Sequence, residues 1–235
     1  MVALISSMFI TFDQVTGMSM PPDPTSTLAN VLGAIAAFQP GLHQRFTHAG
    51  FTPGWINACD PALWLKNLTE TFLSRGGRIE NAEIKSLSST QTSVCLSGPE
   101  NETHAGQAII CAGAWSHQLA GTIGDRFPLE TERGYNTTLG AGAFDLRTHL
   151  TFPGHGFVIT RIGEGIRVGG AVELGGLSLP PDYRRAETLL SKAGQFLPEL
   201  KTGGGRQWMG YRPSLPDSLP VIDRSPQDRR VIYAF

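Results

Sequence analysis

Residues 108–112, Ala-Ile-Ile-Cys-Ala, form an uninterrupted apolar run held between Gly106 and Gly113. A run this short, bounded by glycine, suits a strand buried on both faces, as in a parallel sheet lying under helices. Such a strand needs further layers, and the sequence before it supplies candidates. Asp60 is placed to cap a helix and Pro61 stands at its first position, where the missing N–H costs nothing. Leu65, Leu68 and Phe72 line one face of that helix, Arg75 suits its C-terminal dipole, and Gly76-Gly77 end it. Residues 78–89 and 93–98 then alternate and turn as paired strands do.

After Arg133 the pattern changes. Strand-like pieces fall at 133–139, 156–162, 165–174, 207–212 and 230–235, with a helix near 183–196. Twenty-eight glycines and sixteen prolines in 235 residues fit many turns between short strands. The expected fold class is α+β: an α/β portion over residues 1–130 and a mainly antiparallel sheet carrying a helix over 131–235. Ahead of these, Met1 to Phe12 is apolar without a basic flank or a cleavage site and is too short to span a bilayer, so a buried strand or core segment is expected. Residues 21–25 punctuate the chain. A helix with Leu28, Val31, Leu32 and Ile35 on one face and Thr25 or Ser26 as cap is expected next, then irregular chain or short strands over 40–60.

Several functions are excluded on chemical grounds. A net charge of −1 without a basic stretch cannot neutralise a run of phosphates, so nucleic acid is not the expected partner. Cys59, Cys95 and Cys111 are far apart, no pair has the short spacing of a zinc or redox motif, and no metal is expected; buried thiols in a reducing compartment are the simplest reading. The six histidines are dispersed and are read as surface or loop residues. Gly163, Gly165, Gly169 and Gly170 imitate a dinucleotide fingerprint, but β-branched and glycine-rich sequence follows them instead of a helix. They are read as strand turns with close backbone approach.

The segment Gln207 to Asp217 has local logic of its own. Pro213 holds Arg212 extended at a strand end, and the alternation of a strand sends Tyr211 and Arg212 to opposite faces. An arginine so placed beside aromatic residues is a bidentate receptor for a carboxylate; an ion pair with Asp217 or Glu199 is the other reading.

Four stretches, in order, resemble one family. Cys111-Ala112-Gly113-Ala114-Trp115-Ser116 is similar to the Ala-Gly-Ala-Trp-Ser motif of the FAD-dependent amino-acid oxidoreductases. Pro128-Leu129-Glu130 with Arg133-Gly134-Tyr135 resembles the crossover into their substrate domain. Thr160 to Gly170 resembles their central strand pair, and Trp208 to Pro220 is most similar to the D-amino-acid dehydrogenase branch. The resemblance covers residues 50–235.

It implies a flavin enzyme that oxidises the amine of a D-amino acid to an imine by hydride transfer, with a quinone or oxygen as electron acceptor. Arg212 would grip the substrate carboxylate, with Tyr211 and Tyr135 at the substrate pocket or packing beside it. Ala112, Gly113, Ala114 and Trp115 would lie against FAD, and Ile84 would meet its adenine end. The family's opening strand–glycine turn–helix has no counterpart here, and its segment beyond the strand matching 231–235 is absent. The resemblance therefore implies an internal piece of a longer flavoprotein: a partial FAD-binding domain over 1–130 and a substrate domain over 131–235, with weak or no FAD binding and no turnover of its own. A glycine or sarcosine oxidase, and a non-catalytic fragment or partner-binding subunit, are the alternatives. The implied location is the cytoplasm or the inner face of the membrane, with no membrane-spanning segment.

Overall fold

The computed structural model describes residues 4–11, 27–29 and 32–235, with side chains from residue 35 onward except 52–55. The strands are β1 (Leu4–Thr11), β2 (Thr27–Ala29), β3 (His48–Ala58), β4 (Ser86–Ser89), β5 (Val94–Ser97), β6 (Glu102–Ala105), β7 (Ala108–Ile110), β8 (Glu130–Leu139), β9 (His149–Phe152), β10 (Phe157–Ile162), β11 (Gly165–Leu174), β12 (Arg206–Ser214), β13 (Ile222–Arg224) and β14 (Val231–Ala234). The helices are α1 (Leu32–Phe38), α2 (Pro61–Ser74), α3 (Ser116–Thr122) and α4 (Arg184–Phe196). The fold is the mixed α and β class read from the sequence.

The chain gathers into two compact units, each discontinuous. The first holds the described residues up to Gly76 with Gly134–Ala171 and Pro181–Met209; the second holds Gly77–Arg133, Val172–Pro180 and Gly210–Phe235. The units interleave along the chain, because β8, β11 and β12 each begin in one unit and end in the other.

The larger sheet runs in the order β12-β8-β11-β10-β9-β1-β3-β2. Its pairing is antiparallel at β10/β11, β9/β10, β1/β3 and β2/β3, and parallel at β1/β9. In the first unit α4 buries Ala186, Leu189, Ala193 and Phe196, a stripe at helical spacing, and the last three join a core with Leu150, Ile159 and Val168. The Phe196 ring lies 5.1 Å from both Phe46 and Phe152 and 5.6 Å from Phe157. The glycines that imitate a nucleotide motif form the β10–β11 hairpin: Ile162 pairs with Gly165 across the turn, and Gly163 has φ +56°. Close approach is real at Gly170, where a Cβ would lie 2.3 Å from the Gly156 carbonyl.

Three expectations are corrected. Residues 48–58 are not an irregular connection but the long strand β3. Its register jumps from Thr52 to Ile56 opposite Ser7 and Ser6, so Pro53 and Gly54 fall in a bulge where they break no ladder. The expected helix from Leu28 starts later: Leu28 lies in β2, which pairs with β3, and the helix is α1. The caps Thr25 and Ser26, and Val31, lie outside the described residues. Within the N-terminal apolar segment, β1 is a strand as expected, while residues 1–3 and 12 lie outside the described residues.

The helix opened by Asp60 forms as read. Asp60 Oδ1 accepts from Leu63 N–H at 2.8 Å, and Gly76 takes φ +86° past the end. None of its residues is buried; Trp64, Leu65, Leu68 and Phe72 are all exposed. Before α4, the Arg184 guanidinium donates to both carboxylate oxygens of Asp182, at 2.9 and 2.7 Å, and holds its pKa down at about 2. The unfolded carboxyl titrates near 3.9, so this pair stabilises the fold fully above about pH 4 and is lost as pH falls through about 2. In acid titrations followed by circular dichroism, Asp182→Asn is expected to lower stability at neutral pH and to flatten its loss across that window. Parallel acid curves for the two proteins would contradict this.

In the second unit β4, β5 and β6 make an antiparallel sheet, and β13-β14-β7 make another. β7 is parallel to β14, as a strand of the expected type should be, but it is an edge strand covered on one face only. Ala108 and Ile110 are buried with Val231 and Tyr233, whereas Ile109 is 63% exposed. Asp125, itself buried, ends this core by accepting hydrogen bonds from Tyr233 at 2.6 Å and Ser225 at 2.5 Å. Burial and that carboxylate push the Tyr233 phenol well above its ordinary pKa. Among the described residues no helix is long and apolar enough to cross a membrane.

Candidate active site

The turn after β7 is built from small residues for a geometric reason. Gly113 takes φ +53°, a conformation costly for any residue with a Cβ, and a short 3-10 turn over Gly113–Trp115 leads directly into α3. Trp115 N–H closes the turn on the Ala112 carbonyl at 3.1 Å. Ala114 is fully buried and anchors the turn, while Trp115 stands 45% exposed. A Cβ built on Gly113 meets nothing within 4 Å, and the Ser116 hydroxyl is buried without a hydrogen-bond partner among the described residues. Open backbone beside an unsatisfied buried hydroxyl fits a polar, planar group laid against residues 112–116.

Ile84 belongs to the same unit. It stands two residues before β4 and is half-buried, where it lines a cleft of about 230 Å³ with Asn81, Ala82, Gly98 and Pro99. Lys85 N–H donates to Ser97 O at 2.8 Å, and the Gly98 backbone passes so close to Glu83 that a Cβ there would lie 2.2 Å from the Glu83 carbonyl. Thr122 on α3 clamps β4: its hydroxyl accepts from Leu87 N–H at 2.9 Å and donates to Leu119 O at 2.7 Å. The Ile84 segment and the 112–116 turn are thus tied through Leu87 and Thr122.

Tyr211 and Arg212 come at the far end of β12, and the structure brings the first of them to the turn. Its ring meets Trp115 edge-on, with centroids 5.3 Å apart at 68°. Arg212 follows at the exposed strand end, held extended by Pro213. Tyr135 takes a different setting. It is fully buried in the first unit, its hydroxyl accepts from Asp182 N–H at 3.1 Å, and its ring meets Tyr183 edge-on.

Sequence reasoning missed Arg133 as a member of this constellation. Its side chain is 0% exposed, donates from Nε to Gly176 O at 2.8 Å and from its terminal nitrogens to the Leu179 and Pro180 carbonyls, and lies 3.5 Å from Glu173. Its guanidinium also sits 5.6 Å from the centre of the Tyr211 ring. One arginine therefore fixes the 176–180 loop and backs the tyrosine that touches Trp115. The available signal was an arginine inside a strand, next to Gly134.

Residues 26–235 match the family model described as FAD dependent oxidoreductase, DAO. A D-amino-acid oxidase of Bradyrhizobium diazoefficiens is 30% identical over 202 residues, which are 84% of this chain and 48% of that protein. A D-amino acid dehydrogenase of Xanthobacter autotrophicus is 34% identical over 137 residues, 56% of this chain and 32% of the relative. Among solved structures, glycine oxidase from Geobacillus kaustophilus superposes with a TM-score of 0.83 at 19% identity, covering 99% of this chain and 66% of that one. The chain spans a third to a half of the length of these curated relatives.

Proposed function

The chain belongs to the FAD dependent oxidoreductase family, and from that membership we propose that it carries the substrate strand and part of the flavin-contacting surface of an enzyme that oxidises the amine of a D-amino acid. The observation that carries this reading is the edge contact between Trp115 and Tyr211, which joins the turn suited to FAD to the strand end bearing Arg212 within one compact unit. Both curated relatives described above bear names of D-amino-acid enzymes, which favours that substrate class over glycine or sarcosine.

Ala112, Gly113, Ala114 and Trp115 would hold FAD at the turn, with the Ser116 hydroxyl as a buried polar partner, and Ile84 would lie at the adenine end. Held there, FAD would supply the acceptor for a hydride from the substrate Cα. Arg212 binds the carboxylate through its fork of N–H donors and so fixes the orientation of the amine-bearing carbon. Tyr211, braced by Arg133, packs on Trp115 and so holds the strand end that carries Arg212 against the flavin turn. A quinone or oxygen would serve as the electron acceptor. Tyr135 supports the sheet from inside the first unit, where its hydroxyl is committed to Asp182.

Anaerobic mixing of the FAD-loaded enzyme that carries this chain with D-amino acids is expected to bleach the oxidised flavin. Glycine, sarcosine and L-amino acids are expected to leave it coloured. Bleaching by glycine or sarcosine alone would transfer the chain to the glycine-oxidase type. No bleaching by any amine, in protein shown to retain FAD, would make it a non-catalytic member.

A further inference from the structure

The second unit holds a cluster that the flavin reading does not use. β5 and β6 pair antiparallel with Cys95 opposite His104, and Glu102 lies two residues before His104, on the same face of the strand. The Cys95 sulfur, a Glu102 carboxylate oxygen and a His104 ring nitrogen all lie within 4.8 Å of one another. Cys95 is buried at the base, and Glu102 and His104 rise exposed above it.

The histidine is already oriented. Its Nδ1 is 3.2 Å from the Ser93 hydroxyl, while Nε2 faces Glu102 Oε1 at 2.8 Å. A hydroxyl on the far nitrogen fixes the ring and leaves the near one for a ligand, which is how the outer partners of metal sites act. On the other side the Ser97 hydroxyl lies 3.4 Å from the Cys95 sulfur.

We propose that Cys95, Glu102 and His104 bind a divalent transition cation of the zinc class across β5 and β6. Thiolate, imidazole and carboxylate together select such an ion over magnesium or calcium, and three protein ligands leave a fourth, solvent-facing position for water. Donors around tetrahedral zinc stand about 3.5 Å apart; the Glu102–His104 pair, now 2.8 Å, has to open by less than an ångström, and no donor pair has to close by more than about 1.3 Å. On binding, the thiol proton passes to solvent as the sulfur–metal bond forms; nothing is oxidised or reduced.

Cobalt(II) titration of the reduced 235-residue chain tests this. The expected result is a thiolate-to-cobalt charge-transfer band that saturates at one equivalent and is abolished by one equivalent of zinc(II). Cys95→Ser is expected to lose the band. His104→Gln and Glu102→Gln, at exposed positions where folding is not at risk, are expected to bind cobalt at least about 10-fold more weakly, and Ser93→Ala about 10-fold more weakly. Cys111→Ser, which alters the exposed cysteine just after β7, is expected to keep the band. No band in the intact chain, a band lost in Cys111→Ser, or unchanged affinity in His104→Gln would each overturn the assignment.

Discussion

Arg212→Ala, in the FAD-loaded enzyme that carries this chain, is expected to raise KM for a D-amino acid by about 30-fold or more, equivalent to the roughly 2–5 kcal/mol lost when a desolvated charge pair loses one partner. The size of the effect is itself informative. Arg212 is exposed at the end of β12. An exposed ion pair is worth only about 0.2–1 kcal/mol, so the larger figure requires the bound substrate and flavin to exclude water from the guanidinium. Arg212→Lys keeps the charge but loses the planar fork and should fall between the two. An amine substrate without a carboxylate should be indifferent to either change. A KM shift of less than about 5-fold for the amino acid, below the roughly 1.4 kcal/mol that a tenfold change represents, removes Arg212 as the receptor.

What was legible in the sequence was legible because its determinants are local. The Asp60-Pro61 start and the Gly76 stop of α2, the β10–β11 hairpin and the stripe of α4 each depend on residues within one or two turns of themselves. Arg212 could be singled out because Pro213 acts on its immediate neighbour, with a family resemblance beside it, whereas the 112–116 turn was picked out by the resemblance alone. What stayed hidden is set by partners distant in sequence. β3 looked like a broken connection because Pro53 and Gly54 are breakers in isolation, yet opposite β1 they fall in a bulge. The run 108–112 looked covered on both faces because periodicity reports apolarity and not position, and Ile109 is exposed at the edge of its sheet. The Cys95–Glu102–His104 cluster has no telling spacing along the chain, because strand pairing sets Cys95 opposite His104 and so brings it to the Glu102 face. The contact of Trp115 with Tyr211 joins residues 96 positions apart.

Arg133→Ala should be the most destabilising change at the site, by about 3–5 kcal/mol, the cost of removing one member of a buried ionic and hydrogen-bonded set. The guanidinium supplies the donors for the Gly176, Leu179 and Pro180 carbonyls, and stands 3.5 Å from Glu173. Gly175 packs so tightly on it that a Cβ there would lie 3.2 Å from Nε and Nη1, so the loop has closed around the side chain and truncation leaves a cavity lined by backbone carbonyls. At about 2–4 °C per kcal/mol for a chain of this size, the thermal midpoint should fall by about 6–20 °C. Arg133→Lys retains a charge but cannot reach the carbonyls with one ammonium in the same fork, so it should recover only part of the loss. Because Arg133 also backs Tyr211, the lysine variant, where it folds, should show altered Trp115 fluorescence from the loosened Tyr211 ring, a signal that Glu173→Gln, which leaves the carbonyl bonds and the ring contact in place, should not show. A midpoint shift below about 2 °C for Arg133→Ala would mean that the loop closes equally well without it, and that the brace behind Tyr211 lies elsewhere.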